Sequence, residues 1–232
     1  NFTRDHLDYH RTEEAYLGAK LKLSTYLAEG GTEITNADDP AWQRLPPRPE
    51  RLTFGIDVPA DVRATDLEGD AAGMRFTVTA HGTSARVALP LPGRFNVENA
   101  LGAAAAAIAQ GRGVEAVAAR LAEAPQVPGR MERVAASPCV VLRDYAHTPD
   151  ALRRALAAAR SWTKGRLLLV FGCGGDRDRG KRPAMGAIAA EGAGLAILTS
   201  DNPRTESPDR ILDDVEEGMG RTPHLRIVDR RA

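Results

Sequence analysis

The sequence predicts an α/β protein in two parts, a mixed β region carrying helices and then a Rossmann-like half with a mainly parallel sheet. Three observations carry this expectation. From Cys139 onward, short runs rich in Val, Ile and Leu alternate with amphipathic runs, as βαβ units require. Before it, stretches of alternating apolar residues lie between Gly, Pro and Asp breaks. Between the two, the segment PQVPGR, 125–130, has the composition of a hinge, which sets the domains at 1–126 and 127–232.

In chain order, NFTRDHLDYHRTEEAY reads as loop and then helix. Thr12 can cap, Glu13 and Glu14 suit the positive end, and 15–30 carries apolar residues at helical spacing up to Gly30 and Gly31. TEITN, RLTFGI, MRFTVTAHG and SARVALPL read as strands, with the turn ADDP behind the first. GRFNVENALGAAAAAIAQG opens a small-residue helix with Asn96 near its start, and GVEAVAARLAEA is a second, ended by Pro125. Beyond the hinge come strand CVVLRDYA, helix PDALRRALAAARSW, strand RLLLVFG, helix RPAMGAIAAEGA, strand LAILTSD, helix DRILDDVEEGM and strand-like HLRIVD. The chain opens on a polar segment with no first strand of its own and stops just after HLRIVD, so both ends read as cut and a fragment is expected.

Composition narrows the function classes. With 232 residues, 43% of them hydrophobic and 27% charged, the chain has the profile of a soluble globular protein. Lys plus Arg equals Asp plus Glu at 31 each, so no net field favours nucleic acid or a membrane surface. Cys139 and Cys173 show neither pairing nor metal spacing and no signal peptide is evident, which fits a reducing cytoplasm. The most apolar run, Ala100–Ala109, is too short to span a bilayer. A cytoplasmic monomer is expected.

Four constellations suggest chemistry. DNPR, 201–204, sits between a strand-like and a helix-like run, where open α/β sheets bind ligands, and the planar fork of Arg204 suits a carboxylate. FGCGGDRDRGKRP, 171–183, fails as a P-loop because Arg182 stands where Ser or Thr must hold magnesium, and fails as a dinucleotide fingerprint because Arg177 replaces the third glycine. It does offer four cations, Arg177, Arg179, Lys181 and Arg182, with glycine-exposed amides before a helix, a turn suited to phosphate or carboxylate. In DYAHTPDAL, Asp144 can accept from ribose hydroxyls and His147 can stack on a base, or the Asp can serve turn geometry alone. Asp5, His6, Asp8 and His10 cluster as a metal site would, with His6 and His10 on one face if helical, or form a solvated helix start.

Together, NFTRDHLDYH with AYLGAK, GRFNVENALGA, VPGRMERV, DYAHTPDAL, FGCGGDRDRGKRP and SDNPR resemble the Mur ligases, and closely the MurE-type branch that adds the third peptide residue to UDP-N-acetylmuramoyl-L-alanyl-D-glutamate. The segments span almost the whole chain. The resemblance implies a central ATP-binding domain, present in part, followed by the Rossmann-like ligase domain. It also implies ATP and Mg2+ as cofactors, an acyl-phosphate intermediate and a role in peptidoglycan precursor synthesis. DNPR is the pattern associated with meso-diaminopimelate in that family, and lysine-adding members differ at the arginine. By position, Lys20 resembles a lysine that becomes a metal-holding carbamate and His6 a metal-ligating histidine. Asn96, Asn99, Arg130, Asp144 and His147 match nucleotide-binding positions, and Arg177, Asp201, Asn202 and Arg204 the diaminopimelate pocket. The family's G-K-[ST] loop, uridine-nucleotide domain and C-terminal Gly-His-Glu segment are absent from this sequence, so the polypeptide alone is expected to be inactive. Competing readings are a lysine-adding ligase, a nicotinamide-dependent oxidoreductase, and a nucleotide- or amino-acid-binding module without catalysis.

Overall fold

A computed structural model describes residues 2–3 and 6–232, the side chain of Asp8 excepted. The chain divides into two compact units, one holding 2–3 and 12–144, the other 6–11 and 145–232. In chain order it begins with a single helical turn α1 (Leu7–His10), which belongs to the second unit.

The first unit opens with α2 (Glu13–Leu21), where the Thr12 hydroxyl accepts from the Ala15 amide at 3.1 Å as the cap. The predicted helix over 15–30 is shorter than expected. It tightens into a 3-10 turn over Lys22–Tyr26 and ends there, where the β-branched Thr25 bonds locally, its Oγ1 donating to the Lys22 carbonyl. Strands β1 (Glu33–Asn36), β2 (Arg51–Gly55), β3 (Val62–Asp70), β4 (Gly73–Ala80) and β5 (Thr83–Leu89) form one sheet in that order. The first three run parallel and the last two pairings are antiparallel. Helix α3 (Arg94–Ala109) lays Val97, Leu101, Ala104, Ala105 and Ile108 on the fully buried Val62, Phe76 and Val78. The run of alanines there lets helix and sheet approach closely. Helix α4 (Val114–Ala122) adds Val114, Val117 and Ala118 to the same core.

Strand β3 escaped the sequence reading. Asp66 lies in the left-handed region at φ 55° within a register shift between Thr65 and Glu68, and its carboxylate collects the hydroxyls of Thr65 and Thr77. The strand thus breaks its own alternation at a bulge.

Strands β6 (Glu132–Ala135) and β7 (Val141–Arg143) form a separate antiparallel hairpin. This corrects the expectation that CVVLRDYA begins the parallel sheet. The strand is three residues long and leaves Val140 and Val141 exposed, with Pro138 just before it unable to donate to a ladder.

The second unit is the Rossmann-like half. It runs α5 (Pro149–Trp162), β8 (Leu168–Phe171), α6 (Lys181–Gly192), β9 (Leu195–Leu198), α7 (Pro208–Met219) and β10 (His224–Arg226). The strands pair in parallel in the order β10-β9-β8, as alternating apolar strands and helices imply. Leu152, Leu156, Met185, Ile188, Ile211, Leu212 and Val215 pack around Phe171, Ala196 and Leu198 as its core.

Candidate functional site

In the second unit, two loops leave the carboxyl ends of adjacent parallel strands: 172–180 from β8 and 199–207 from β9. Such strand ends are where open α/β sheets bind ligands. The loops are sewn together. The Gly175 amide donates to the Asn202 carbonyl at 2.9 Å, and Arg204 Nη1 donates to the Gly175 carbonyl at 2.8 Å. The Asp176 amide donates to Glu206 Oε1 at 2.6 Å, and Thr205 returns its amide and hydroxyl to the Asp176 carboxylate at 3.1 and 2.8 Å.

The glycines serve this contact. A Cβ on Gly172 would lie 2.0 Å from the Thr199 carbonyl oxygen, and one on Gly175 1.9 Å from that of Pro203. The sequence reading gave these glycines the task of exposing amides to an anion. The structure instead spends the Gly175 and Asp176 amides on the neighbouring loop, and the Gly180 amide on Asp178 Oδ1 at 2.9 Å.

Nor are the four cations equivalent. Arg182 is fully buried in the first turn of α6. Its Nη1 donates to Glu206 Oε2 at 3.0 Å and Asp214 Oδ2 at 2.7 Å, and its Nη2 to Glu206 Oε1 at 2.7 Å and the Gly174 carbonyl at 3.2 Å. Arg179 forks onto Asp214 at 3.1 to 3.2 Å. These two guanidiniums hold the site together and are not offered to a ligand, because each already has a carboxylate at hydrogen-bond distance. The Arg182 guanidinium, and then the Asp176 amide, hold Glu206 down to about 2, far below the usual carboxylate range. Burial pushes Asp214 the other way, but the bonds from Arg179 and Arg182 prevail and keep it low. Burial also lifts the Cys173 thiol to about 11.

Arg182 and Glu206 are the residues that sequence reasoning missed in these roles. A signal existed: 182, 185, 186 and 189 fall on one helical face with Met185, Gly186 and Ala189, all buried, so Arg182 had to point into the core. Arg177, Asp201, Asn202 and Arg204 remain on the exposed side of the paired loops. Arg230 approaches Asp201 at 3.7 Å. An open depression of about 490 Å³ beside them is lined by Ser200, Asp201, Pro208, Val228, Asp229 and Arg230, among others.

His147 is exposed just before the Thr148 cap of α5, its Nδ1 3.0 Å from the Tyr145 carbonyl and its ring 5.0 Å from that of Tyr145. His6 precedes α1 with φ 55°, so the expected i, i+4 helical face with His10 does not form. Asp5 and the Asp8 side chain lie outside the described residues. Among the described residues no group of three or more His, Cys, Asp or Glu could hold a metal.

In the first unit, Asn96 is buried in the first turn of α3, donating Nδ2 to the Pro92 carbonyl at 2.7 Å and accepting from Asn99 Nδ2 at 3.4 Å. Asn99 is the exposed member of that pair. Asp144 closes the base of the β6–β7 hairpin, its Oδ2 accepting the Met131 amide at 2.7 Å. Glu132 ties the same turn by accepting from Gly129 N and Arg143. The bond from Met131 to Asp144 spans 13 residues and is not the local Asx turn expected for Asp144, and Arg130 is exposed. Lys20 occupies the last turn of α2, not its middle, with Nζ 5.0 Å from the centroid of Tyr16.

The chain thus carries a mixed-sheet unit and a parallel α/β unit whose strand-end loops include DNPR. Residues 1–107 match the Mur ligase middle domain and 129–232 the Mur ligase glutamate ligase domain, and the chain belongs to the Mur ligase family. It is 49% identical over 225 residues to a UDP-N-acetylmuramoyl-L-alanyl-D-glutamate--2,6-diaminopimelate ligase of Thermosynechococcus vestitus, covering 94% of this chain and 45% of that protein. A solved structure of a ligase of the same description shares 39% identity with a TM-score of 0.60, over 99% of this chain and 49% of the other. A pseudomurein peptide ligase type C from Methanothermus fervidus shares the fold, with a TM-score of 0.78 at 21% identity over 100% of this chain and 51% of its own. The chain thus spans about half the length of the curated relatives it matches. No helix among the described residues is long and apolar enough to cross a membrane.

Proposed function

We propose that the protein carrying this chain is an ATP-dependent ligase that joins meso-diaminopimelate to UDP-N-acetylmuramoyl-L-alanyl-D-glutamate in peptidoglycan precursor synthesis. The observation that carries the reading is the DNPR turn, pinned at the carboxyl end of β9 with Asn202 and Arg204 exposed. Arg204 commits one of its five donors to Gly175 and keeps a planar face for a carboxylate. Arg177 shares its exposed side of the loops, and Asp201 and Asn202 complete the amino-acid pocket.

Asn96, Asn99, Arg130, Asp144 and His147 would embrace the nucleotide; the domain boundary at 126/127 lies close to the glutamate ligase match that starts at 129, whereas the compact units divide at 144/145. Phosphoryl transfer from ATP to the D-glutamyl γ-carboxylate would release ADP and give an acyl phosphate, whose carbonyl the amine attacks to form the amide as inorganic phosphate leaves and the amine loses a proton. The chain's own groups orient the three reactants and stabilise charge. Magnesium would neutralise phosphate charge when bound. His6 and Lys20, the latter as a carbamate, would hold it. As an ammonium Lys20 rests on the Tyr16 face, an attraction worth about 0.5–1 kcal/mol that a carbamate anion forgoes.

The test offers the full-length protein UDP-N-acetylmuramoyl dipeptide, ATP and Mg2+ with meso-diaminopimelate and L-lysine in competition, and weighs the product by mass spectrometry. Diaminopimelate incorporation is expected. Lysine incorporation would reverse the specificity, and no ATP-dependent product would leave a binding module.

A further inference from the structure

Two residues other than glycine hold left-handed backbones on the paired loops, Asp176 at φ 51° and Arg204 at φ 50°. L-residues occupy that region rarely and persist there only where neighbours over-determine it. Here the neighbours do so from one residue. The Asp176 carboxylate takes both the amide and the hydroxyl of Thr205, which directly follows Arg204, while the Asp176 amide takes Glu206, the next residue along. Glu206 is in turn fixed by the buried Arg182. Arg204's own restraints are fewer: its amide lies 3.3 Å from Asn202 Oδ1, and Nη1 reaches the Gly175 carbonyl.

The charge distribution is the second observation. Arg179 and Arg182 are each paired with acids, whereas among the described residues Arg204 makes no ion pair and meets only a neutral carbonyl. Asp176, the acid on the facing loop, is occupied by neutral donors. The arrangement keeps a carboxylate close enough to set the turn, without letting it neutralise the guanidinium.

We propose that Asp176 is the positioning residue for Arg204: its carboxylate, acting through Thr205, sets the left-handed turn from which the Arg204 guanidinium meets a carboxylate-bearing amino acid. Asp176 does not touch that substrate, and the proposal rests on the diaminopimelate reading above.

The test compares the full-length wild-type protein with Asp176→Ala, Asp176→Asn and Thr205→Val, measuring kcat and the KM of each of ATP, UDP-N-acetylmuramoyl dipeptide and meso-diaminopimelate. Asp176→Ala raises the diaminopimelate KM about tenfold or more, the weakening of one charge-assisted contact, and leaves the other two KM values within about twofold. Asp176→Asn restores most of it, because asparagine keeps the acceptor and tolerates the left-handed backbone. Thr205→Val, which loses only the hydroxyl, falls between. Hydrogen exchange rises in Asp176→Ala over 174–176 and 203–206 and not in the β-sheet cores. An unmoved diaminopimelate KM, or all three KM values rising together as general damage would produce, overturns the proposal. Failure of the wild-type protein to incorporate diaminopimelate overturns instead the ligase reading beneath it.

Discussion

Arg182→Met isolates the buried ion network from the hydrophobic core, since methionine keeps the stem's volume and removes the guanidinium. The loss is four polar contacts, three of them to Glu206 and Asp214 and one to the Gly174 carbonyl. Removing one partner of a buried pair costs about 3–5 kcal/mol. Glu206 and Asp214 keep 21% and 19% exposure, so water reclaims part of their solvation and the value falls at the low end, about 3 kcal/mol. Urea unfolding in a Trp42→Phe background, where Trp162 on α5 reports this unit, measures it. The pH dependence supplies an independent sign. Glu206 sits at about 2 when folded against an ordinary 4.5, so its contribution is fully present above pH 4.5 and is lost as pH falls through 2. Arg182 is the largest cause of that depression, so the acid limb between these values flattens in Arg182→Met. A loss below about 1 kcal/mol, the level of an exposed pair, or an unchanged acid limb would refute the reasoning.

Three further outcomes are expected. Gly175→Ala puts a methyl 1.9 Å from the Pro203 carbonyl oxygen and costs about 2 kcal/mol or more, whereas Gly165→Ala meets open space and stays within about 0.5 kcal/mol, both read by denaturant midpoints. Cys173, buried and pushed up to about 11, resists iodoacetamide at pH 8 in the native protein while the exposed Cys139 is labelled, as peptide mass mapping would reveal; equal labelling contradicts the burial. Phe76→Ala empties the fully buried centre of the first unit and costs about 3–5 kcal/mol of its unfolding free energy, followed through Trp42.

The helices and parallel strands of the second unit were legible because their signals are local. Thr148 caps α5 in front of Pro149, and β8 and β9 are short apolar runs closed by turn residues. What failed involved hairpins whose regular pairing is interrupted. Strand β3 depends on a bulge that buries its alternation around Asp66, and β7 pairs backwards with β6 instead of joining the strands that follow it. Partners lie as close as Asp70 to Gly73 and Ala135 to Val141, but the register shift within each pairing breaks the period-two pattern that would have marked it. The end of α2 at Leu21 was likewise invisible, because lysine, leucine and alanine continue its pattern past the point where the backbone tightens.

For the site, the position was legible and the division of labour was not. A run of four cations between strand and helix reads as one anion-binding surface, yet the structure separates them by what faces them across 24 to 35 residues of chain. Arg182 is drawn inward by the helical face it shares with Met185, and the carboxylates of Glu206 and Asp214 make that burial tolerable. The glycines invert in the same way. Seen in sequence, Gly172 and Gly175 look like a cradle for phosphate, but the atoms a side chain would strike are the carbonyls of Thr199 and Pro203. The cradled object is the DNPR loop itself. This strand end is therefore divided between a hydrogen-bonded frame, made by Arg182, Glu206, Asp176 and the glycines, and the exposed Arg204. A frame built from buried charge is costly to alter piecemeal. Substitutions in it are accordingly expected to move stability and amino-acid KM together, while substitutions of Arg204 alone move KM.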